Sequence, residues 1–449
     1  MTAVDRTRLP LPAADRTFTL PAFERADLGG GIAVWAAEHR RAPLVALHLL
    51  LPAGSAADPP EAHGLAALTA ELFTEGTAEL SAVELESALK RIGGGLTTAV
   101  RSDATVIALT VLSQHMAAGL RLLFEVAMRP RLDAGDVDRE RELRINRIRQ
   151  QLQSPGLLAD RAFLEALYAK HPYGHPAIGT EAALRSVEPA DVAAFHRRAW
   201  AAAPWTLVAA GDADPGALIA EAQRAWAAVA TSEDRRPAPA APPDPPSVRE
   251  RMVFVARDGA VQSEIRLGHP GPPRSSSDYH ALLVLNMVLG GQFVSRVNQN
   301  LREAKGYTYG ASTWFDWRLG RGPFRLQTSV QTASTVDALR EAVREVADIR
   351  GPRPPSGQEL EVARAALTRG FPRTLETASQ LARTGLQIAL HGLPADDYAN
   401  FPHRVAAVGA EDVRRAAPRP QAPDPRVAGV VGARPALVAG QADVGVGGP

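Results

Sequence analysis

The feature that most constrains the fold is an order of strands and helices that occurs twice, on either side of a proline-rich segment. Residues 238–247 read A-P-A-A-P-P-D-P-P-S. Five prolines in ten residues predict a stiff, extended linker. A chain of 449 residues is also too long for a single hydrophobic core. We therefore expect two homologous domains joined by this segment.

Apolar periodicity predicts the elements of each half. Before the linker we predict strands at 32–38, 44–51, 96–99, 105–112 and 207–210, and helices within 61–76 and at 81–92, 116–128, 136–153 and 215–229. After it we predict strands at 265–268, 307–314 and 324–330, and helices at 279–289, 294–305, 336–349, 357–367 and 377–390. Runs of strands and helices in this order predict an α+β fold.

These elements divide the chain into two domains with a tail at each end. Residues 17–237 form the first predicted domain, 238–247 the linker and 248–433 the second domain. Residues 1–16 are expected to be a flexible tail. Residues 434–449 are rich in glycine and poor in apolar residues, so we expect them to be disordered.

The helix predicted within 61–76 belongs to the core of the first domain. Leu65, Leu68 and Leu72 are spaced three and four residues apart, with Phe73 beside them, and the pattern stops at Gly76. This spacing is typical of the buried stripe of an amphipathic helix. Between Leu65 and Phe73 this helix carries no histidine.

Four short segments around this helix resemble the pitrilysin/insulinase metallopeptidases, which are called inverzincins. The segments are P-A-G-S at 52–55, G-L-A at 64–66, E-G-T at 75–77 and G-G-G-L-T-T-A at 93–99. In that family H-x-x-E-H follows G-L-A. Its two histidines bind zinc from one helix face, and its glutamate is the general base. Here the same three positions hold Ala67, Ala70 and Glu71.

The family's third zinc ligand is a glutamate on a later helix, in a segment that resembles E-R-E-L-R-I-N-R-I at 140–148. The matching position is Arg147. Two methyl groups, a carboxylate and a guanidinium cannot replace two imidazoles and a carboxylate around a dication. The resemblance therefore implies a family member of the non-catalytic type, which binds no metal or other cofactor itself. An alignment shifted by one or two residues is the alternative.

The histidines offer no obvious substitute ligands. Of the eleven, only His171 and His175 are four residues apart, in H-P-Y-G-H. Proline and glycine predict a loop there, and no glutamate lies between the two histidines. His63 lies eight residues before Glu71, more than two helical turns away. A substitute site built from His63, Glu71 and Glu142 is the least favoured alternative, because Arg147 would place a fixed positive charge beside the metal.

A second motif lies after the linker, where 301–310 reads L-R-E-A-K-G-Y-T-Y-G. It resembles the family pattern L-R-E-x-x-G-x-x-Y. The resemblance implies that Arg302 holds a substrate carbonyl or carboxylate and that Tyr309 donates to the oxyanion of the tetrahedral intermediate. We predict Arg302 in the last turn of a helix and Tyr309 on a strand. Without the motif, the alternatives are a solvated arginine at a helix end and a tyrosine packed in the core.

Two weaker features could contact a peptide. Thr98 and Ala99 lie where the family has a sheet edge to which substrate adds as an extra strand, although an ordinary internal strand is an equal alternative. Trp314, Phe315 and Trp317 form the densest aromatic cluster. They could line a peptide cleft near Tyr309, but core packing is favoured.

Composition excludes several classes of partner. A formal net charge of +1 gives no field that would attract nucleic acid or an anionic membrane. No segment reaches the roughly 20 apolar residues of a membrane span. The absence of cysteine excludes disulfides and thiolate metal sites. No apolar secretory signal is evident at the N-terminus, so the expected compartment is the cytoplasm.

The resemblance therefore favours the non-catalytic subunit of a heterodimeric zinc metallopeptidase that cleaves peptides. Each chain would form half of a clam-like chamber, from two homologous domains that are mostly antiparallel sheets with helices packed on one face. A homologous partner subunit would carry the zinc, and this chain would contribute Arg302 and Tyr309. The alternative is a structural or peptide-binding relative that plays no part in catalysis.

Overall fold

The computed structural model describes residues 19–230, 237, 240–246, 251–417 and 427–433. The predicted tails at 1–16 and 434–449 and both ends of the predicted linker lie outside the described residues. Within the described part of the chain, no helix is long and apolar enough to cross a membrane.

The first half contains six strands and eight helices among the described residues. In chain order these are β1 Glu24–Asp27, β2 Ile32–Glu38, β3 Leu44–Leu51, α1 Leu65–Glu71, α2 Ala82–Arg91, β4 Gly95–Val100, β5 Thr105–Leu112, α3 Met116–Met128, α4 Ala134–Leu152, α5 Pro155–Tyr168, α6 Glu181–Arg185, α7 Pro189–Phe195, β6 Trp205–Gly211 and α8 Pro215–Ala227. The strands form one sheet in the order β1-β2-β6-β3-β5-β4. Only β2 and β6 pair in parallel.

The second half repeats this plan. Its elements are β7 Arg251–Ala256, β8 Gln262–Pro270, α9 Tyr279–Leu289, α10 Arg296–Asn298, β9 Ala311–Phe315, β10 Pro323–Gln331, α11 Thr335–Asp348, α12 Gly357–Gly370, α13 Ala378–His391, α14 Phe401–Ala406, α15 Ala410–Ala416 and β11 Val427–Gly432. The sheet order is β7-β11-β8-β10-β9, and among the described strands of this half only β7 and β11 pair in parallel, as β2 and β6 do in the first half. Strand by strand, this order corresponds to β2-β6-β3-β5-β4 in the sheet of the first half. The predicted α+β fold with two homologous domains is therefore confirmed.

The sequence of strand β3 is continuously apolar because both of its faces are buried. Val45, Leu47 and Leu49 belong to the core formed with the first half's own helices, whereas Ala46 and Leu50 belong to the core formed with the second half. Successive side chains of a strand point to opposite faces, so a strand that is covered on both sides needs apolar residues throughout.

Each sheet is covered on its second face by a helix from the other half. Helix α13 packs on β3 and β6, and helix α5 packs on β8 and β11. Both approaches require glycine. A Cβ at Gly385 in α13 would lie 2.6 Å from Cγ1 of Val208, and one at Gly268 in β8 would lie 2.9 Å from the Phe163 ring. This reciprocal exchange makes the two domains one packed unit.

Most predicted elements are confirmed to within a few residues, including the helix that begins after Ser81. There the Ser81 side chain accepts from the Glu84 backbone and the Glu84 carboxylate accepts from the Ser81 backbone, a capping box. The predicted helix within 61–76 is shorter than expected: α1 ends at Glu71 and is followed by a 3-10 turn at Leu72–Thr74.

The sequence prediction missed eight elements: β1, α5, α6, α7, β7, α14, α15 and β11. The Pro155-Gly156 dipeptide reads as a break, but proline at the first helical position instead begins α5. Strand β11 is buried throughout and contains Gly429. Its sequence therefore shows neither the alternation of apolar and polar residues nor the large side chains that predict a strand. The segment 307–314 was also predicted wrongly, because the strand starts only at Ala311. The domain boundary at 238–247 stays a prediction.

Candidate functional site

The first candidate site lies on α1, where the metal positions were predicted. The helix starts at Gly64, and the buried Asp58 carboxylate accepts from Gly64 N and Ala66 N, each at 2.7 Å. The six residues from Leu65 to Ala70 are all buried. Ala67 and Ala70 therefore present only methyl groups to their surroundings, 6% and 1% exposed.

Glu71 and Arg147, the two charged residues predicted at this site, are in direct contact. Arg147 Nη1 donates to Glu71 Oε1 at 2.6 Å. This contact brings together, across α1 and α4, two of the residues that the sequence analysis assigned to the metal positions. The alignment of these positions with the family motif stays a prediction. The carboxylate that stands at a histidine position is bound by the guanidinium that stands at the glutamate position.

A third residue, Arg144, completes this cluster and was missed by the sequence analysis. Its Nη2 lies 2.8 Å from Glu71 Oε1 and donates at 2.8 Å to the Ala67 carbonyl oxygen. The side chain is only 5% exposed, against 49% for Arg147. Burial lowers the pKa of the Arg144 guanidinium, and the Glu71 charge opposes that effect. Its position one turn before Arg147 was the available signal.

Zinc is the metal that the fold family implies, and these residues do not fit it. The only anionic donor among the four positions, Glu71, is already bound by two guanidinium groups. The nearby Glu140 carboxyl has a raised pKa, first because of burial and then because of the Glu71 and Glu75 charges. Within the described residues no group of three His, Cys, Asp or Glu side chains is arranged to hold a metal.

The H-P-Y-G-H segment is a loop, as predicted, and its histidines have structural contacts. His171 Nδ1 accepts from Tyr173 N at 3.1 Å, and its Nε2 lies 2.8 Å from the Pro243 carbonyl oxygen. His175 Nε2 lies 3.2 Å from Asp58 Oδ2, and its ring stacks on His63 with centroids 3.9 Å apart. The structure does not bring His63, Glu71 and Glu142 together as one metal-holding group.

The second candidate site contains Arg302. Helix α10 continues as a π-helical turn at Gln299–Ala304, so Arg302 lies in the last turn, as predicted. Its Nε donates to Glu303 Oε1 at 3.0 Å, and its Cζ lies 3.5 Å from the centroid of the Phe293 ring. The Arg302 side chain is 16% exposed, so it is accessible from one side only.

Tyr309 is not on a strand, and that prediction is corrected. It lies on a bend between the π-helical turn and β9, with 95% of the residue exposed. Thr308 Oγ1 donates to the Ser329 carbonyl oxygen at 2.7 Å and accepts from Gly310 N at 3.0 Å. These bonds replace the strand ladder. The backbone is therefore anchored on both sides of Tyr309, while its phenol projects into solvent.

Arg302 and Tyr309 line the same cavity, which has a volume of about 590 Å³. Its floor is a polar patch on β8, β9 and β10. The floor residues are Glu264, Arg266, Ser312, Gln327, Thr328 and Ser329. The volume lies within the roughly 300–1,000 Å³ that ligand sites occupy.

Asn298 joins the two segments that carry Arg302 and Tyr309, a role that no sequence motif indicated. Its Nδ2 donates to the Ala311 carbonyl oxygen and its Oδ1 accepts from Ala311 N, both at 2.9 Å. The residue is 6% exposed. One buried amide thus clamps helix α10 to the start of β9 on the outer edge of the sheet.

The two weaker features are also resolved. Strand β4, with Thr98 and Ala99, is an edge strand and not an internal one. In the aromatic cluster Phe315 is buried and stacks on Trp317 with centroids 4.9 Å apart, and Arg325 covers the Trp314 ring. None of the three aromatic residues lines the cavity beside Tyr309, so the prediction of core packing is the better description.

Fold and sites together define a two-domain peptidase-like chain in which ion pairs fill the metal positions. Residues 34–181 match the family profile described as "Insulinase (Peptidase family M16)", and 186–367 match "Peptidase M16 inactive domain". The two matches together span most of the chain. The protein therefore belongs to the M16 peptidase family.

Relatives in several bacteria share this similarity over most of their length. A protein of Mycobacterium bovis named an uncharacterized zinc protease is 28% identical over 385 residues, covering 84% of this chain and 82% of the relative. A Bacillus subtilis protein, also named an uncharacterized zinc protease, is 23% identical over 349 residues, covering 78% and 83% respectively.

Solved structures share the fold. The peptidase M16 inactive domain from Pseudomonas fluorescens has a TM-score of 0.84 and 24% identity, with 92% of this chain and 98% of that chain covered. A protease from Helicobacter pylori has the same TM-score with 19% identity, covering 92% of this chain and all of the other.

Proposed function

We propose that this chain is the non-catalytic subunit of a heterodimeric zinc metallopeptidase that cleaves peptides. A homologous partner would carry the intact zinc motif, and this chain would contribute Arg302 and Tyr309 to the shared active site. The substrates would be peptides or short unfolded segments, because a closed chamber between two clam-like chains admits nothing larger.

The observation that supports this proposal is the contrast between an exposed Arg302–Tyr309 cavity and an ion-paired metal position. Tyr309 is 95% exposed, as a donor to an incoming group needs to be. Its backbone is nevertheless anchored by Thr308. Anchored donors that face a developing oxyanion lower the barrier because no reorganisation is needed during the reaction.

The decisive experiment uses the complex of this chain with its partner subunit, called the pair below. The chain would be co-purified with its partner, and cleavage of an internally quenched peptide would be measured with and without each subunit. Tyr309→Phe removes one oxyanion donor, so we expect kcat to fall by about 10²–10³. Arg302→Ala should raise KM and lower kcat/KM. The proposal fails if both variants leave the pair fully active, or if this chain cleaves the peptide alone.

Metal dependence gives a separate check on which chain holds the ion. A chelator should abolish cleavage by the pair while leaving the thermal unfolding of this isolated chain unchanged. About one zinc per chain bound to this subunit alone, lost together with activity, would contradict the proposal. A neighbouring gene that encodes a similar chain with H-x-x-E-H would support it.

A second candidate is a peptide-binding relative with no part in catalysis, and the edge position of β4 favours it. Among the described strands β4 pairs only with β5, so its outer backbone groups are available to an added strand. This candidate predicts that the isolated chain binds an extended peptide with an affinity that Arg302→Ala and Tyr309→Phe do not change.

A further inference from the structure

Phe293 is an exposed aromatic residue on a backbone that is held in place. It is 70% exposed and lies in the segment between α9 and α10. On one side the Gln292 carbonyl oxygen accepts from Asn298 Nδ2 at 3.3 Å, and on the other the Val294 carbonyl oxygen accepts from Gln299 Nε2 at 3.1 Å. Both donors belong to the helix that carries Arg302.

The segment before Phe293 is held equally closely. A Cβ at Gly290 would lie 2.5 Å from Thr313 Oγ1, and one at Gly291 would lie 2.7 Å from Asn286 Nδ2. Glycine is therefore required at both positions for the chain to pass α9 and β9. A backbone so constrained presents the phenyl ring in one place, even though little of the ring is buried.

The ring lies directly beneath a guanidinium group. Arg302 Cζ is 3.5 Å from the ring centroid, and the Arg302 Nε is bound by Glu303. A guanidinium stacked on a π face within about 6 Å is attracted by the ring quadrupole. Nε and Nη2 of Arg302 both donate to Glu303 Oε1, so the Nη1 donors remain at the edge of the guanidinium plane. The ring and Glu303 together fix the plane in which Arg302 offers its remaining donors to the cavity.

We propose that Phe293 is the positioning residue of Arg302 and keeps the guanidinium oriented toward a peptide carbonyl or carboxylate in the cavity. This inference rests on the proposed function for the identity of the ligand, but the stacking itself does not. Phe293 would act through Arg302 and not on the reacting atoms. A flat aromatic face is what the role needs, and apolar bulk alone does not supply it.

The first arm of the test needs no partner. The Arg302 side-chain Nε–Hε resonance of the isolated chain would be identified from its loss in Arg302→Lys. Stacking on the ring should shift this resonance upfield. We expect Phe293→Tyr to keep the shift and Phe293→Leu to abolish it, while Val294→Ala, its exposed neighbour, changes nothing. Equal resonance positions in the Tyr and Leu variants would overturn the inference.

The second arm uses the co-purified pair and an internally quenched peptide. Phe293→Leu should raise KM about fivefold with kcat within twofold, because loss of equal ground-state and transition-state binding appears in KM. Phe293→Tyr should restore the wild-type KM, and Val294→Ala should not change it. If Arg302→Lys is impaired and Phe293→Leu is normal, only this inference fails. If Arg302→Lys is fully active, the proposed function fails and the resonance still decides the stacking.

Discussion

The two halves share one strand order but treat their charged side chains in opposite ways. In the first half Glu71 is closed off by Arg144 and Arg147, and Arg144 is almost fully buried. In the second half Arg302 and Tyr309 face an open cavity. Glu303 and the Phe293 ring hold Arg302, and Thr308 anchors the backbone beside Tyr309. In the first arrangement both guanidinium groups bind Glu71 Oε1, whereas in the second Arg302 and Tyr309 line a cavity of about 590 Å³.

This difference shows that a chain can keep this fold without side chains that bind a metal. In a zinc-binding relative the metal would link the α1 helix to the α4 helix. Here Arg144 and Arg147 make the same link through Glu71 and the Ala67 carbonyl oxygen. A guanidinium supplies positive charge and directed hydrogen bonds, but it has no open coordination position that could activate water. The scaffold persists, and the proposed function assigns the missing ion to another chain.

The largest expected effect comes from breaking the buried ion pair. Glu71→Leu leaves the Arg144 charge buried without its carboxylate, so we expect a loss of about 3–5 kcal/mol in the free energy of unfolding. Urea unfolding of the isolated chain measures this. The double variant Glu71→Leu, Arg144→Met should lose much less than the two single variants added together, because no unpaired charge remains. Additive losses would contradict the ion-pair description.

A second prediction concerns the interface between the halves, away from both sites. Burial, and then the Arg383 charge, lowers the pKa of His48 to about 4, and Ser379 on α13 lies 3.2 Å from its Nε2. The unfolded chain binds a proton near pH 6.5 and the folded chain does not. Stability is therefore complete above pH 6.5 and falls toward pH 4, by about 3 kcal/mol for this group.

Burial is also the main cause of the lowered pKa values of His280 and His391. The loss of wild-type stability at low pH therefore contains their contributions too. His48→Leu should reduce the slope of stability against pH between 4 and 6.5, measured by urea unfolding at several pH values. His403→Leu, at an exposed histidine, is the matched control and should keep the wild-type slope. An unchanged slope in His48→Leu would contradict the assignment.

A smaller effect is expected at the clamp of the second half. Asn298→Ala leaves the Ala311 N–H and C=O without their side-chain partner, which should cost about 2 kcal/mol. The stronger readout is local: backbone amides at 306–311 should exchange hydrogen faster, as measured by mass spectrometry. Asn298→Asp keeps the acceptor for Ala311 N and should be intermediate. Unchanged exchange in Asn298→Ala would show that Thr308 alone anchors Tyr309.

A feature could be predicted from the sequence when the residues that determine it lie close together in the chain. The capping box at Ser81 and Glu84 is contained in four residues, so it could be predicted. The contact of Glu71 with Arg147 was not predicted, although the two motifs assigned both residues to one site. The burial of Arg144 could not be predicted, because it depends on partners from α1 that lie far away in sequence, and its position one turn before Arg147 was the only signal. Helix α5 was hidden by Pro155-Gly156, and its packing on the other half's sheet has no local signal.

Tyr309 shows the same limit at the second site. The Y-T-Y-G-A-S-T-W run at 307–314 has β-branched and aromatic residues that favour a strand, yet its first four residues form a loop. Thr308 and Asn298 satisfy the backbone groups that a ladder would otherwise take. Side chains that bond to backbone compete with regular structure. Thr308 does so from within the segment, and Asn298 does so from α10. The motif predicted the identity of the residue but not its exposure.

The smallest expected effect separates the two arginines of the first half. Arg147 is 49% exposed, so its pair with Glu71 is screened by solvent, and Arg147→Met should cost only about 0.5 kcal/mol. Arg144→Met is the matched comparison and should cost several times more, because it also removes the bond to the Ala67 carbonyl oxygen. Urea unfolding of both variants measures the ratio. If the losses are equal, Arg147 shares the structural role, and the link between α1 and α4 depends on the residue that the family motif identifies. If Arg144 dominates, the link depends on a residue one turn away from the lost ligand position.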